Sequence, residues 1–277
     1  MTTQPIDLDT PCELTDEQVR RFREQGFIKL KQVLTPELIE AYAPEVTRLT
    51  MEAARDKADV PMDDRDTYGK AFLQVWNLWE QSDKVREFSF SKRLARIATE
   101  LLGTRGVRMY HDQALYKEPA GGFTPWHADQ QYWPMTTSLS VTAWVPLQET
   151  PIEMGPLCFA RGSHLKNIGR DLEIGDESEQ RIRDEIKRQG VVEVQEPFEL
   201  GEVSFHYGWT LHRAGPNTTD QPRKVHTVIY MDKDMRLAEP KNGNQRADWE
   251  AWSPGTRIGQ VMDSAKNPVL FDLDADG

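Results

Sequence analysis

Cysteine is scarce: the 277 residues hold two, Cys12 and Cys158. Two thiols so far apart cannot make a disulfide framework, which excludes the small secreted scaffolds that depend on one. Positive charge is also short. Lysine and arginine total 34 against 45 aspartates and glutamates, a net charge of −11. That balance argues against nucleic acid or an anionic membrane as a general partner. No apolar run approaches the length that spans a bilayer. The opening Met1–Asp9 lacks the charged-then-apolar pattern of a secretory signal. No internal repeat or low-complexity linker interrupts the chain. The expectation is a soluble, cytoplasmic protein with neither nucleic acid nor membrane as partner; nothing in the sequence fixes its oligomeric state. Its length suffices for a substantial core.

Local signals divide the chain. Thr15-Asp16-Glu17-Gln18 is a capping-box pattern, with Leu14 and Val19 spaced as a hydrophobic staple. That helix should end near Gly26, and Phe27–Lys31 then alternates like a strand. Thr35-Pro36 opens a second helix. Residues 50–70 are polar, carry Asp63-Asp64-Arg65-Asp66, and are expected to form a mobile surface loop. A helix over Lys92–Leu102 should stop at Gly103. From Val107 onward short strands and turns dominate. One domain over 1–277 is expected, with helices about 15–103, a β core about 107–235 and a C-terminal extension.

The chemistry is concentrated in four residues. His127-Ala128-Asp129 is followed eighty-five residues later by His212, and Arg223 comes eleven beyond that. Two imidazoles and one carboxylate bind non-haem Fe(II) and leave positions open for oxygen. Arginine suits a forked grip on a co-substrate carboxylate. The set points to an iron enzyme that uses O2 and a 2-oxo acid. His127 lies in an aromatic-rich stretch, Phe123–Trp133, that reads as a strand or a strand entering a loop. Residues i and i+2 of a strand share a face, so His127 and Asp129 can reach one ion while Ala128 turns away. His212 precedes a Gly215-Pro216 turn, and Arg223 opens a β-branched run. Ligands from two distant strands fit a closed β architecture with a site in its mouth. In Leu139–Leu147, Ser140, Thr142 and Trp144 share the face opposite Leu139, Val141, Ala143 and Val145. Trp144 reads equally well as pocket wall and as core packing.

Three segments carry a wider likeness: Pro125–Pro134, Gly155–His164, and His212–Asn217 with Arg223. Through them the chain resembles the phytanoyl-CoA dioxygenase family of Fe(II)- and 2-oxoglutarate-dependent oxygenases, from about Leu14 to Phe271. The resemblance implies a mainly β fold with flanking α-helices, the double-stranded β-helix or jelly roll. It implies that His127, Asp129 and His212 hold Fe(II) and that Arg223 binds the far carboxylate of 2-oxoglutarate. It further implies that Gln113 and Trp144 line the co-substrate site. The expected reaction consumes 2-oxoglutarate and O2, hydroxylates an unactivated C–H of a small molecule, and releases succinate and CO2. Desaturation, cyclisation or epimerisation at the same iron site is the alternative. A cupin-type metalloenzyme or a non-catalytic jelly-roll binding protein is more distant. Halogenating relatives replace the acidic ligand with a small residue; Asp129 argues against that chemistry. Arg161 stands where proline is more usual in the family and is read as a local turn variation. No CoA-binding signature is evident.

Other residues have competing readings. His111 and Asp112 are adjacent and point to opposite strand faces, so they do not share an ion. His206 is read as a core histidine in preference to a group supporting the site. His164 is expected to make a structural hydrogen bond, and His226 lies on the face opposite Arg223. Trp76, Trp79, Trp133 and Trp209 are candidates for an aromatic-lined pocket. Asp176–Gln189 reads as a surface helix with a narrow stripe, Ile182 and Ile186. Solvated decoration is its default role and a lid the alternative.

Overall fold

The computed structural model describes residues 7–276; the opening Met1–Ile6 lies outside them. Among the described residues eleven strands form two antiparallel sheets. In chain order they are β1 (Phe27–Leu30), β2 (Leu73–Trp76), β3 (Gly106–Lys117), β4 (Thr124–His127), β5 (Ser140–Pro146), β6 (Leu157–Ala160), β7 (Glu193–Gln195), β8 (Val203–Tyr207), β9 (His212–Ala214), β10 (Arg223–Asp232) and β11 (Val269–Asp272). The larger sheet runs β1-β8-β5-β10-β3-β11, with β2 also on β3. The smaller runs β4-β9-β6-β7. Two sheets facing each other, with helices outside the larger one, make the jelly roll.

The period-two pattern of the larger sheet decides what faces what. Val141, Ala143 and Val145 of β5, with Ala114 and Tyr116 of β3, join a core with helix residues such as Leu38, Tyr42, Phe88 and Ile97. The alternate residues Thr142, Trp144, Gln113 and Leu115 face the space between the sheets. The smaller sheet closes that space with Leu157, Phe159 and Ala214, packed against Trp144 and Val225.

The helix signals hold. Asp16–Gln25 has Thr15 as N-cap with its capping box complete, and Gly26 ends it at φ 89°, in the left-handed region that favours glycine. Pro36–Ala53 starts on the Thr35 cap, and Lys92–Leu102 stops at Gly103. No helix among the described residues is long and apolar enough to cross a membrane.

Residues 50–70 depart from expectation. In place of a loop, the second helix continues to Ala53, and Arg55–Ala58, Met62–Asp64 and Thr67–Ala71 add helical turns. Arg65 organises them. Its buried guanidinium donates to the Val60 and Ala58 carbonyls and pairs with Glu118. Three hydrogen bonds from one planar guanidinium, through Nε and both terminal nitrogens, hold a polar segment. Asp66 caps the last turn through the Gly69 amide.

The helix Asp176–Arg188 is not decoration. Ile182 and Ile186 are buried against Trp126, Ala128, Cys158 and Leu211. Glu179 accepts from the Trp126 amide at 2.8 Å, so the helix braces β4 from behind. Ile182→Ala should cost about 2–4 kcal/mol of unfolding free energy in urea denaturation. A change below about 0.5 kcal/mol would return the helix to solvated decoration.

Candidate active site

β4 and β9 pair so that His127 and His212 are direct cross-strand partners. Ala128 is extended (φ −123°, ψ 130°) and Asp129 opens the short turn Asp129–Gln131. The chain therefore leaves the strand just after His127, yet keeps the alternation that puts Asp129 beside it. Nε2 of His127 and Nε2 of His212 each lie 3.6 Å from Asp129 Oδ1. The three side chains offer donor atoms within 4.8 Å of one another. The imidazoles are oriented from behind. Nδ1 of His127 lies 2.8 Å from the Pro125 carbonyl, and Nδ1 of His212 lies 3.0 Å from that of Thr210. A donor Nδ1–H on a carbonyl leaves Nε2 as the lone pair for a metal. Burial lowers His212 to about 3, with the neighbouring His127 adding to it, so the ring stays neutral as a ligand must.

The second carboxylate oxygen is held by the larger sheet. Thr142 Oγ1 donates to Asp129 Oδ2 at 3.2 Å, and His206 Nε2 lies 3.3 Å from it. Thr142 and His206 are register partners on β5 and β8. His206 is thus a support of the site, not a satisfied core histidine; sequence spacing could not show which sheet face it occupies. Burial raises the Asp129 pKa, but His212, His127 and His206 outweigh that and hold the carboxyl well below its usual range.

A cavity of about 330 Å³ contains the three residues and also Gln113, Trp144 and Arg223. Arg223 is 2% exposed and opens β10 opposite Lys117. It donates to the Gly155 carbonyl at 2.5 Å, and its Cζ lies 5.4 Å from the centre of the Trp144 ring. Among the described residues no carboxylate pairs with it, and its Nε has no partner. Burial lowers its pKa to about 9, so it stays charged at neutral pH. Burial, then the Arg223 charge, lowers Lys117 to about 6, leaving Arg223 the cation at that end. Gly155 explains one conspicuous motif. It sits at φ 68°, and a Cβ there would run into the Gly215 carbonyl, so the two motif turns close on each other only without a side chain.

Gln113 accepts from Gln74 Nε2 at 2.5 Å on the cavity wall. Trp144 is both wall and core: it is 1% exposed, packs on Phe198, and its Nε1 has no hydrogen-bond partner among the described residues. Of the four candidate tryptophans, Trp76 and Trp133 line the cavity. Trp79 lies in the helix-side core and Trp209 sits under Arg170, away from the cavity. His111 lines the cavity while Asp112 turns to Ser89, as their adjacency requires. His226 also meets Ser89, and His164 meets the Arg23 carbonyl. Tyr132, Asp248 and Trp252 line the cavity and were not anticipated. Asp248 and Trp252, one turn apart on the helix Gly243–Trp252, gave no motif to find.

Fold and site together place the chain among the Fe(II)- and 2-oxoglutarate-dependent dioxygenases, with iron as cofactor and 2-oxoglutarate and O2 as co-substrates. A profile of the phytanoyl-CoA dioxygenase family matches residues 22–225, and the chain belongs to that family. It is 25% identical over 276 residues to the ectoine dioxygenase of Bordetella bronchiseptica, covering 91% of this chain and 87% of that one. To the probable alpha-ketoglutarate-dependent hypophosphite dioxygenase of Stutzerimonas stutzeri it is 23% identical over 236 residues, 79% of each chain. Among solved structures, the carbocyclase SnoK from nogalamycin biosynthesis superimposes with a TM-score of 0.75 at 25% identity, covering 94% of this chain and 99% of that one. The epimerase SnoN, crystallised with Fe3+, alpha-ketoglutarate and nogalamycin RO, gives 0.75 at 25% identity, covering 92% and 98%.

The His206 contact is testable at the metal. His206→Leu should weaken Fe(II) binding about 10–100-fold in anaerobic titration, because Asp129 loses an orienting partner. Unchanged affinity would reduce His206 to packing.

Proposed function

We propose that His127, Asp129 and His212 bind Fe(II), that Arg223 takes the C5 carboxylate of 2-oxoglutarate, and that the enzyme hydroxylates an unactivated C–H of a small molecule. One observation carries this: a buried, unpaired arginine shares a cavity with three converging metal donors. A buried guanidinium without a counter-ion is costly, and a dicarboxylic co-substrate supplies the missing charge. When bound, iron with 2-oxoglutarate and O2 supplies an oxidant able to attack such a bond, with succinate and CO2 as by-products.

The residues do the positioning. Arg223 is fixed by the Gly155 carbonyl and the Trp144 face, so it presents its remaining donors in one direction. The unpartnered Trp144 Nε1–H is a further donor at that end, and Gln113 flanks the co-substrate from β3. Thr142 and His206 hold Asp129 Oδ2, leaving Oδ1 as the oxygen that would take the metal. The apolar walls keep water from the reacting atoms. The carboxylate at Asp129 argues for hydroxylation over halogenation.

Cyclisation or epimerisation is the second reading. The solved carbocyclase and epimerase both superimpose at 0.75 with 25% identity. Substrate pose decides among these outcomes at one iron site. We place the enzyme in the cytoplasm, where its two free thiols stay reduced.

Anaerobic addition of Fe(II) and 2-oxoglutarate should produce a visible charge-transfer band that needs both. Arg223→Ala should raise the 2-oxoglutarate concentration for half-formation by about 30-fold, the equivalent of about 2 kcal/mol lost from a buried charged contact. A band indifferent to this substitution would move the carboxylate elsewhere; metal binding without any band would favour a cupin-type enzyme.

A further inference from the structure

The cavity has an arginine at one end and a carboxyl group at the other. On β3 and β10, Arg223 stands opposite Lys117 and Ile229 opposite His111. Six residues of extended chain separate the two levels, roughly 20 Å at the rise of a strand. At the His111 end the wall includes Asp248 and Trp252, from the helix Gly243–Trp252, with Trp76 beside them. This helix lies beyond the segment 22–225 that the family profile matches.

The acidic end is built, not incidental. The pairing of β3 with β10 slips between Ile229 and Tyr230, so Tyr110 has no partner across the ladder. Such a bulge re-aims side chains. Tyr110 turns its hydroxyl to Asp248 Oδ2 at 2.8 Å, while His111 stays on the cavity wall with its ring 5.1 Å from that of Trp252. Trp252 stands one helical turn from Asp248 in the same wall. The Tyr110 donor leaves much of the acceptor capacity of a carboxylate unused. Among the described residues no lysine, arginine or histidine pairs with Asp248. Lys266 lies over Trp252 but pairs with Glu80. Burial lowers His111 to about 4, so it supplies no positive charge. Burial, with the Asp129 charge adding to it, pushes Asp248 up to about 7, and a cation at this end would relieve that cost.

We propose that Asp248 recognises a basic nitrogen of the substrate, with Trp76 and Trp252 forming the aromatic wall beside it. The proposal rests on the oxygenase reading and names the class of its substrate: a small organic amine, charged at one end, whose body reaches toward the metal. A carboxylate supplies the ion pair, and indole faces attract an ammonium while accepting apolar carbon. A neutral alcohol of the same shape would keep the apolar contacts and lose the charge.

The test uses protein loaded anaerobically with Fe(II) and 2-oxoglutarate. Cyclohexylmethylamine and its neutral isostere cyclohexylmethanol are titrated by calorimetry into the wild type and Asp248→Asn. The amine should bind the wild type at least about tenfold tighter than the alcohol, about 1.4 kcal/mol, and Asp248→Asn should erase the difference. The charge-transfer band, recorded on both proteins, shows that the metal end is intact in each. Failure of the amine to bind, equal binding of the two probes, or a preference that persists in Asp248→Asn would each overturn the assignment. A wild type that binds metal yet forms no band would instead overturn the oxygenase reading beneath it.

Discussion

A half-buried carboxylate among three imidazoles organises this molecule. The Asp129 side chain is 19% exposed, and a negative charge so largely withdrawn from water needs partners. His206 and Thr142 hold one oxygen, while the other faces Nε2 of His127 and His212, three donors that a metal cation would draw together. Those four partners come from both sheets. The smaller sheet brings the two histidines as a register pair, and the larger sheet brings the two supports as another. The jelly roll cannot slip by one residue in either sheet without dismantling the centre, because a slip turns each partner to the opposite face. The same alternation separates a dry, helix-covered face from the cavity face along β3, β5 and β10.

The surroundings are arranged to keep that geometry still. The helix Asp176–Arg188 anchors two isoleucines behind β4 and takes the Trp126 amide, fixing the strand that carries His127. The turns at Gly155 and Gly215 close on each other and leave the Gly155 carbonyl to orient Arg223. Precise placement of ligands depends on such supporting contacts more than on the ligands themselves.

Relatives within the fold span different oxidative outcomes, named as dioxygenases, a carbocyclase and an epimerase. In this chain the cavity end away from Arg223 is walled by a bulge on β3 and by a helix past the matched family segment. Membership of the family names the cofactors and leaves the substrate to be read from the chain's own residues.

The sequence by itself carried the helix caps, the two-faced strands and the set His127, Asp129, His212 and Arg223. These are local or strictly ordered signals: a cap is decided within four residues, and strand alternation by backbone geometry alone. It misplaced residues 50–70, because the buried Arg65 that orders them finds Glu118 far along the chain. Spacing could not tell that His206 faces Asp129, or that Trp79 and Trp209 turn away from the cavity. It held no sign that Asp248 and Trp252 join His111. Those contacts are between residues far apart in sequence, and only the packing of sheets and helices determines which faces meet.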